Sequence, residues 1–156
     1  VSRSKMRRND RQLPAGEAEE ILRSGRYGVL SVVCDDGYPY GVPLSYAYDN
    51  GKLYFHHTAE ESLLADSIHG KTKACFTVVG DTELLPAKFS TKYESVIVFG
   101  TISESDDKIG VLMQLVDKLS PDHIEKGRKY AENAAPRVAA YEFRIEQITG
   151  KARKTS

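Results

Sequence analysis

Apolar positions in this chain change period several times, and each change marks an element. Ala18, Ile21 and Leu22 recur at helical spacing after Pro14 and before Gly25, which predicts a helix from Ala15 to about Ser24. Tyr27 to Cys34 is apolar and β-branched and runs into Asp36-Gly37, a strand followed by a turn. Val42 to Tyr48 alternates, Asn50-Gly51 interrupts, and Leu53 to His57 resumes the alternation. A second helix is expected from Ala59 to about Ile68, a strand from Ala74 to Val79, a loop from Gly80 to Lys92 and a strand from Glu94 to Ile102. Ile109, Leu112, Met113, Val116 and Leu119 form a helical stripe behind the cap candidate Ser105, and a further helix opens at Ser120-Pro121. In a last strand, Val138 to Ile148, Tyr141, Phe143 and Ile145 alternate with Glu142, Arg144 and Glu146.

Six strands joined mostly by short turns predict a mainly β fold, a six-stranded antiparallel barrel with flanking α-helices. No GxGxxG follows a strand, so a doubly wound dinucleotide fold has no support. A length of 156 residues fits a single domain over 13–156, preceded by an arm of residues 1–12.

Asn50-Gly51 is the strongest local signal, because a two-residue type I′ turn wants positive φ at both positions. It sets a register in which Asp49 pairs with Lys52, Ala47 with Tyr54, Ser45 with His56 and Pro43 with Thr58. Alternation then separates two faces. Val42, Leu44, Tyr46, Leu53 and Phe55 fill the barrel, while Pro43, Ser45, Ala47, Tyr54 and His56 point outward. An outward face of small and aromatic residues with one histidine suits a flat ligand or a partner subunit; an ordinary amphipathic surface is the plainer reading. Thr58-Ala59-Glu60-Glu61 reads as a capping box. A helix N-terminus there offers a phosphate cradle, although plain capping explains the same residues.

Charge narrows the functions. Lys and Arg number 22, as do Asp and Glu, for a net charge of zero, so no nucleic-acid partner is indicated. Arg3, Lys5, Arg7, Arg8 and Arg11 concentrate positive charge in the arm, which reads as a solvated terminus. Cys34 and Cys75 stand apart in apolar runs and read as buried small hydrophobes. The four histidines, His56, His57, His69 and His123, lack metal-motif spacing, and no metal site is expected. His57 reads as a core-edge residue, and His69 and His123 as surface or capping residues. No apolar stretch reaches membrane length and no signal peptide opens the chain, so no membrane partner and a cytoplasmic location are expected.

The runs Met6-Arg7-Arg8-Asn9-Asp10-Arg11, Gly37-Tyr38-Pro39-Tyr40-Gly41-Val42-Pro43-Leu44-Ser45-Tyr46 and Leu53-Tyr54-Phe55-His56 form an ordered set with two others. These are Lys88-Phe89-Ser90-Thr91-Lys92-Tyr93-Glu94-Ser95-Val96-Ile97-Val98-Phe99-Gly100 and Ile148-Thr149-Gly150-Lys151. The set resembles the nitroimidazole-resistance branch of the pyridoxamine phosphate oxidase-like flavoproteins, from Met6 to Lys151. The resemblance implies an FMN-binding split β-barrel and a homodimer with the flavin at its interface. It places Val42, Pro43, Leu44 and Ser45, with Tyr54, Phe55, His56 and Thr58, against the cofactor, and His56 beside the ring as the candidate catalytic group. It further implies reduction of a small nitroaromatic substrate to an amine, so that no nitro radical accumulates. Relatives carry a Gly and a basic residue soon after the histidine, near the flavin phosphate. Here the stretch is Ala59-Glu60-Glu61-Ser62-Leu63-Leu64. Ser62 is then the hydrogen-bonding candidate, and Lys92 or Lys151, from the other subunit, the candidate charge. A flavin- or haem-binding carrier or sensor without turnover is the alternative. Pyridoxamine phosphate oxidase activity itself is disfavoured, since the hairpin offers no Arg for a substrate phosphate.

Overall fold

Asn50 and Gly51 carry φ angles of 47° and 78°, the conformation a type I′ turn demands, and the sheet is laid out from that turn. The computed structural model describes residues 5–154; Arg3 of the basic arm lies outside them. The strands are β1 (Tyr27–Val33), β2 (Pro39–Ser45), β3 (Ala47–Asp49), β4 (Lys52–Thr58), β5 (Thr72–Leu85), β6 (Ser90–Glu104) and β7 (Val138–Arg153). Helices α1 (Ala15–Ser24), α2 (Leu63–Ser67), α3 (Lys108–Leu119) and α4 (Ile124–Ala134) flank them. All seven strands form one antiparallel sheet in the order β2-β1-β5-β6-β7-β4-β3. The fold is mainly β, consistent with a split barrel, and the sheet does not close. Its two edge strands, β2 and β3, are separated in sequence by Tyr46 alone.

Six expected strands become seven because the strand over Val42 to Tyr48 divides at Tyr46. Downstream, Ala47 pairs with Tyr54 and Asp49 with Lys52, as the turn dictates. Upstream, Ser45 and Pro43 pair with Tyr27 and Val29 of β1 rather than with His56 and Thr58. The physical cause lies in Tyr46. Its phenol donates to the Leu22 carbonyl of α1, its ring meets Phe76 edge-on at 4.8 Å, and Lys118 Nζ lies 3.6 Å from the ring centroid. The break also resets the alternation, so Tyr46 and Ala47 are both buried. Ala47, expected to point outward, is 2 % exposed.

Other boundaries move for local reasons. The second helix begins at Leu63, not Ala59, with Ser62 as its cap: Ser62 Oγ accepts from the Ala65 amide at 3.1 Å. The expected capping box is replaced by a tight turn in which Thr58 Oγ1 accepts from the Glu60 amide at 3.1 Å. Asp107 rather than Ser105 caps α3, accepting from the Gly110 amide at 3.0 Å. A 3-10 turn, Pro121–His123, precedes α4.

The segment read as a loop from Gly80 to Lys92 is a two-stranded arm. After a register shift beyond Val79, pairing continues from Thr82 with Tyr93 to Leu85 with Ser90. Phe89 turns its tip in the left-handed region, φ 49° and ψ 45°, and is 97 % exposed. The last strand runs on to Arg153, and a shift opposite Phe99 and Gly100 absorbs one residue. Gly100 permits that crossing, since a Cβ there would lie 2.0 Å from the Arg144 carbonyl oxygen.

The core gathers Leu30, Phe55, Phe76, Val98 and Phe143 from the strands with Ala18 and Leu22 from α1. A second cluster, Leu112, Ala131 and Ala134, joins α3 to α4. The end of the arm is tied down, with the Leu13 amide bonded to the Gly150 carbonyl at 2.9 Å and Gln12 bridged to Lys151.

Candidate functional site

The division at Tyr46 leaves two backbone edges open. β2 is bonded to β1 on one side only, and β4 beyond Tyr54 is bonded to β7 only. In an antiparallel edge strand, about every second residue turns its N–H and C=O away from its neighbour. The segments Val42 to Ser45 and Phe55 to Thr58 therefore offer backbone donors and acceptors to a ligand. On β2, Pro43 and Ser45 are exposed, while Val42 and Leu44 are half-buried and pack on the core. On β4, Phe55 is buried in the core, and Tyr54, His56 and Thr58 are half-buried. Ser45 pairs with Tyr27 and Tyr54 with Ala47, so neither Ser45 and His56 nor Pro43 and Thr58 are partners.

His56 points away from the core, where α3 and α4 meet β4, and lines a cavity with Leu112, Leu115 and His123. Burial lowers its pKa, and the neighbouring His57 lowers it further. The imidazole is therefore neutral at neutral pH, with one N–H to donate and one nitrogen to accept. On the next residue, His57 Nδ1 is buried with no hydrogen-bond partner among the described residues. An orphaned polar atom at the open strand end fits a site completed by a ligand or water. His69 is a surface residue, as expected, with Nε2 2.8 Å from an Asp35 carboxylate oxygen. His123 is exposed ahead of α4 without a side-chain cap bond.

The candidate phosphate ligands do not converge within one chain. Ser62 is engaged as the cap of a five-residue helix. Lys92 is exposed on the arm, opposite Glu83. Lys151 lies on β7 opposite Ser95, its Nζ 5.8 Å from the Tyr93 ring centroid.

Two features escaped the sequence reading. The first is an outward sheet face. Leu30, Phe76, Val98 and Ile148 stand side by side toward the core, so their neighbours Val29, Thr77, Ile97 and Thr149 face away, in line with Pro43. Beside them Ser31, Cys75, Phe99 and Gln147 line a cavity of about 330 Å³. Cys75, expected to be buried, is half-buried on this face, whereas Cys34 is buried; neither forms a disulfide. The second is a group of cations around Tyr93. Arg11 Nη1 approaches its hydroxyl at 3.4 Å, and Arg153, the strand partner of Tyr93, donates to Ser90 Oγ. Burial alone would raise the Tyr93 phenol, but hydrogen bonds and charges from Arg11 and Lys151 outweigh it and lower its pKa. Only pairing distant in sequence assembles that group.

Among the described residues no helix is long and apolar enough to cross a membrane, and no three His, Cys, Asp or Glu side chains gather as a metal site.

A family model for pyridoxamine 5′-phosphate oxidase matches residues 14–152. Comparison with curated protein sequences finds no match. Among solved structures, the chain is similar to an FAD-binding protein from Mesorhizobium loti. The two are 26 % identical with a TM-score of 0.62, over 92 % of this chain and 98 % of that one. It is similar in fold to a candidate 5-nitroimidazole antibiotic resistance protein from Bacteroides thetaiotaomicron, at 20 % identity and a TM-score of 0.68, over 90 % and 85 % of the two chains. An FAD- and haem-binding protein from Mycobacterium smegmatis shares the fold at 19 % identity and a TM-score of 0.80, over 93 % and 74 %.

Proposed function

We propose that this chain, which belongs to the pyridoxamine 5′-phosphate oxidase family, binds FMN along the open edge between β2 and β4 and reduces small nitroaromatic or related compounds with it. The observation that carries the reading is the division at Tyr46, which leaves Val42 to Ser45 and Phe55 to Thr58 as two unpaired edges. Small exposed side chains, Pro43 and Ser45, leave room for a flat ring there. The flavin binding named for the relative from Mesorhizobium loti supports the cofactor class.

When bound, the flavin supplies the electron transfer between a donor and the substrate. Around it, the Ser45 amide is the strand's donor for negative charge on the ring, since Pro43 has no N–H and the Leu44 amide faces β1 in the antiparallel register. His56 holds a proton at its imidazole N–H for a substrate oxygen, and its burial keeps that imidazole neutral. Lys92 and Lys151 meet the phosphate from a second copy of the chain, in a homodimer that also covers the outward face around Ile97 and Val79. Those two residues are 38 % and 60 % exposed in the single chain.

The visible spectrum of the purified protein, with chromatography of the released cofactor, tests the first half. Flavin bands and FMN are expected; released FAD would correct the cofactor, and a Soret band would favour the haem-binding alternative. Anaerobic reduction followed by a nitroimidazole tests the second half. Prompt reoxidation of the flavin is expected, and reduced flavin persisting in excess drug would leave a carrier or sensor as the better account.

A further inference from the structure

Helices α3 and α4 form an open pocket of about 430 Å³ against β4. Its walls are apolar, formed by Leu112, Leu115, Val116 and Leu119 of α3 with the Tyr130 ring of α4. Its ionisable nitrogens are His56 from β4 and His123 and Lys126 at the start of α4, and no Asp or Glu lines it. That start carries no side-chain cap, and its first-turn Glu125 is exposed and outside the lining. The positive end of α4 thus adds to Lys126 and His123. Gly127 lets α4 approach α3 this closely, since a Cβ there would lie 2.3 Å from Val116 Cγ1.

We propose that this cavity is a binding site for a small aromatic carboxylate, with its ring between Leu115, Leu119 and Tyr130 and its carboxylate at Lys126 and His123. Two facts point to that class. The volume lies within the range of about 300–1,000 Å³ that small-molecule sites occupy. The lining offers Lys126, His56, His123 and the Ser120 hydroxyl with no acidic counter-charge, so an anion there gains charge-assisted hydrogen bonds. A cation would meet repulsion, and a neutral apolar molecule would gain nothing from Lys126, which is exposed and hydrated without it. The pocket shares His56 with the proposed flavin reaction, but the carboxylate is held at Lys126 and His123, so its binding does not depend on a flavin being bound.

The test is calorimetric titration of the purified protein with 2-naphthoate and with 2-naphthamide, which differ in charge but hardly in shape. The carboxylate is expected to bind at least tenfold more tightly and to shift the His56 and His123 imidazole NMR signals. Lys126→Glu, a change at an exposed position, should bring the carboxylate down to the affinity of the amide. Leu119→Trp, at the half-exposed rim, should exclude both, with circular dichroism confirming that each variant is folded. Equal binding of the two probes, an unchanged affinity in Lys126→Glu, or binding undiminished in Leu119→Trp would overturn the proposal. So would loss of naphthoate binding on saturation with FMN, which would make the cavity part of the flavin's own site.

Discussion

Tyr46 does the work of a hinge pin at the residue scale. Its phenol reaches Leu22, its ring meets Phe76, and Lys118 caps the assembly by donating to the Gly25 carbonyl. Tyr46→Phe removes one buried hydrogen bond and should cost about 1 kcal/mol, whereas Tyr46→Ala also leaves a cavity and should cost about 3–5 kcal/mol. Urea denaturation measures both, and equal losses would mean that the ring anchors nothing. Lys118 gives a pH signature. Burial pulls its ammonium from the ordinary 10.5 down to about 8. Between those values the unfolded chain holds a proton that the folded chain has released, so stability rises with pH across that window. Burial raises Tyr46 in the opposite sense, above its ordinary 10.0. The unfolded chain then ionises first, and stability falls above pH 10. Lys118→Met should therefore be flatter than the parent from pH 8 to 10; parallel denaturation curves across that range would contradict the assignment. At the site, His56→Ala should slow flavin reoxidation by nitroimidazole by about 10²-fold or more, the lower range for general acid catalysis, while the flavin spectrum persists. Unchanged turnover would leave His56 as a wall of the pocket.

Elements show where local signals carried and where they failed. The Asn50-Gly51 turn was legible because positive φ at two successive residues is a local demand, and it set the β3–β4 register. Gly51→Val should slip or loosen that hairpin and lower stability by about 1–2 kcal/mol, since a β-branched residue resists φ of 78°. Helix α1 was legible for the same reason, with Pro14 and Gly25 punctuating a short apolar stripe. Helix α2 was not. Thr58 and Ser62 are both plausible caps four residues apart, and the tertiary position of Leu64, which is fully buried, selects the second. Ser62→Ala should then cost about 1 kcal/mol of stability and Thr58→Ala less; the reverse order would restore the capping box. The β5–β6 arm was hidden because its outer half has no core to face. Leu84 and Phe89 are exposed, so no hydrophobic alternation marks those strands, and their pairing is set by the ribbon below.

For the whole molecule, the outward face of the sheet is the feature without a helix to cover it, and a two-fold dimer would cover it twice. Analytical ultracentrifugation is expected to give a dimer, and Ile97→Lys to shift it toward monomer and weaken flavin retention together. A flavin-loaded monomer would refute the shared site. Local sequence determined much of this protein. Six apolar runs, one two-residue turn and an amphipathic first helix were enough for a mainly β barrel with helices outside, because burial and turn geometry act between residues close along the chain. The expected cofactor class came from an ordered resemblance, and of its residues Pro43, Ser45, Tyr54, His56 and Thr58 lie on β2 and β4, whereas Ser62, Lys92 and Lys151 lie elsewhere. What tertiary structure alone decided is where the strand after Gly41 goes. The turn at Asn50-Gly51 predicts Ser45 beside His56, but Tyr46 buried against Leu22 and Phe76 takes β2 to β1 instead. The two unpaired edges exist because that long-range packing outweighs the hairpin ladder. For the same reason, the Arg11, Tyr93, Lys151 and Arg153 group and the cavity at His56 could not be read from spacing, since each joins residues that meet only through the folded sheet.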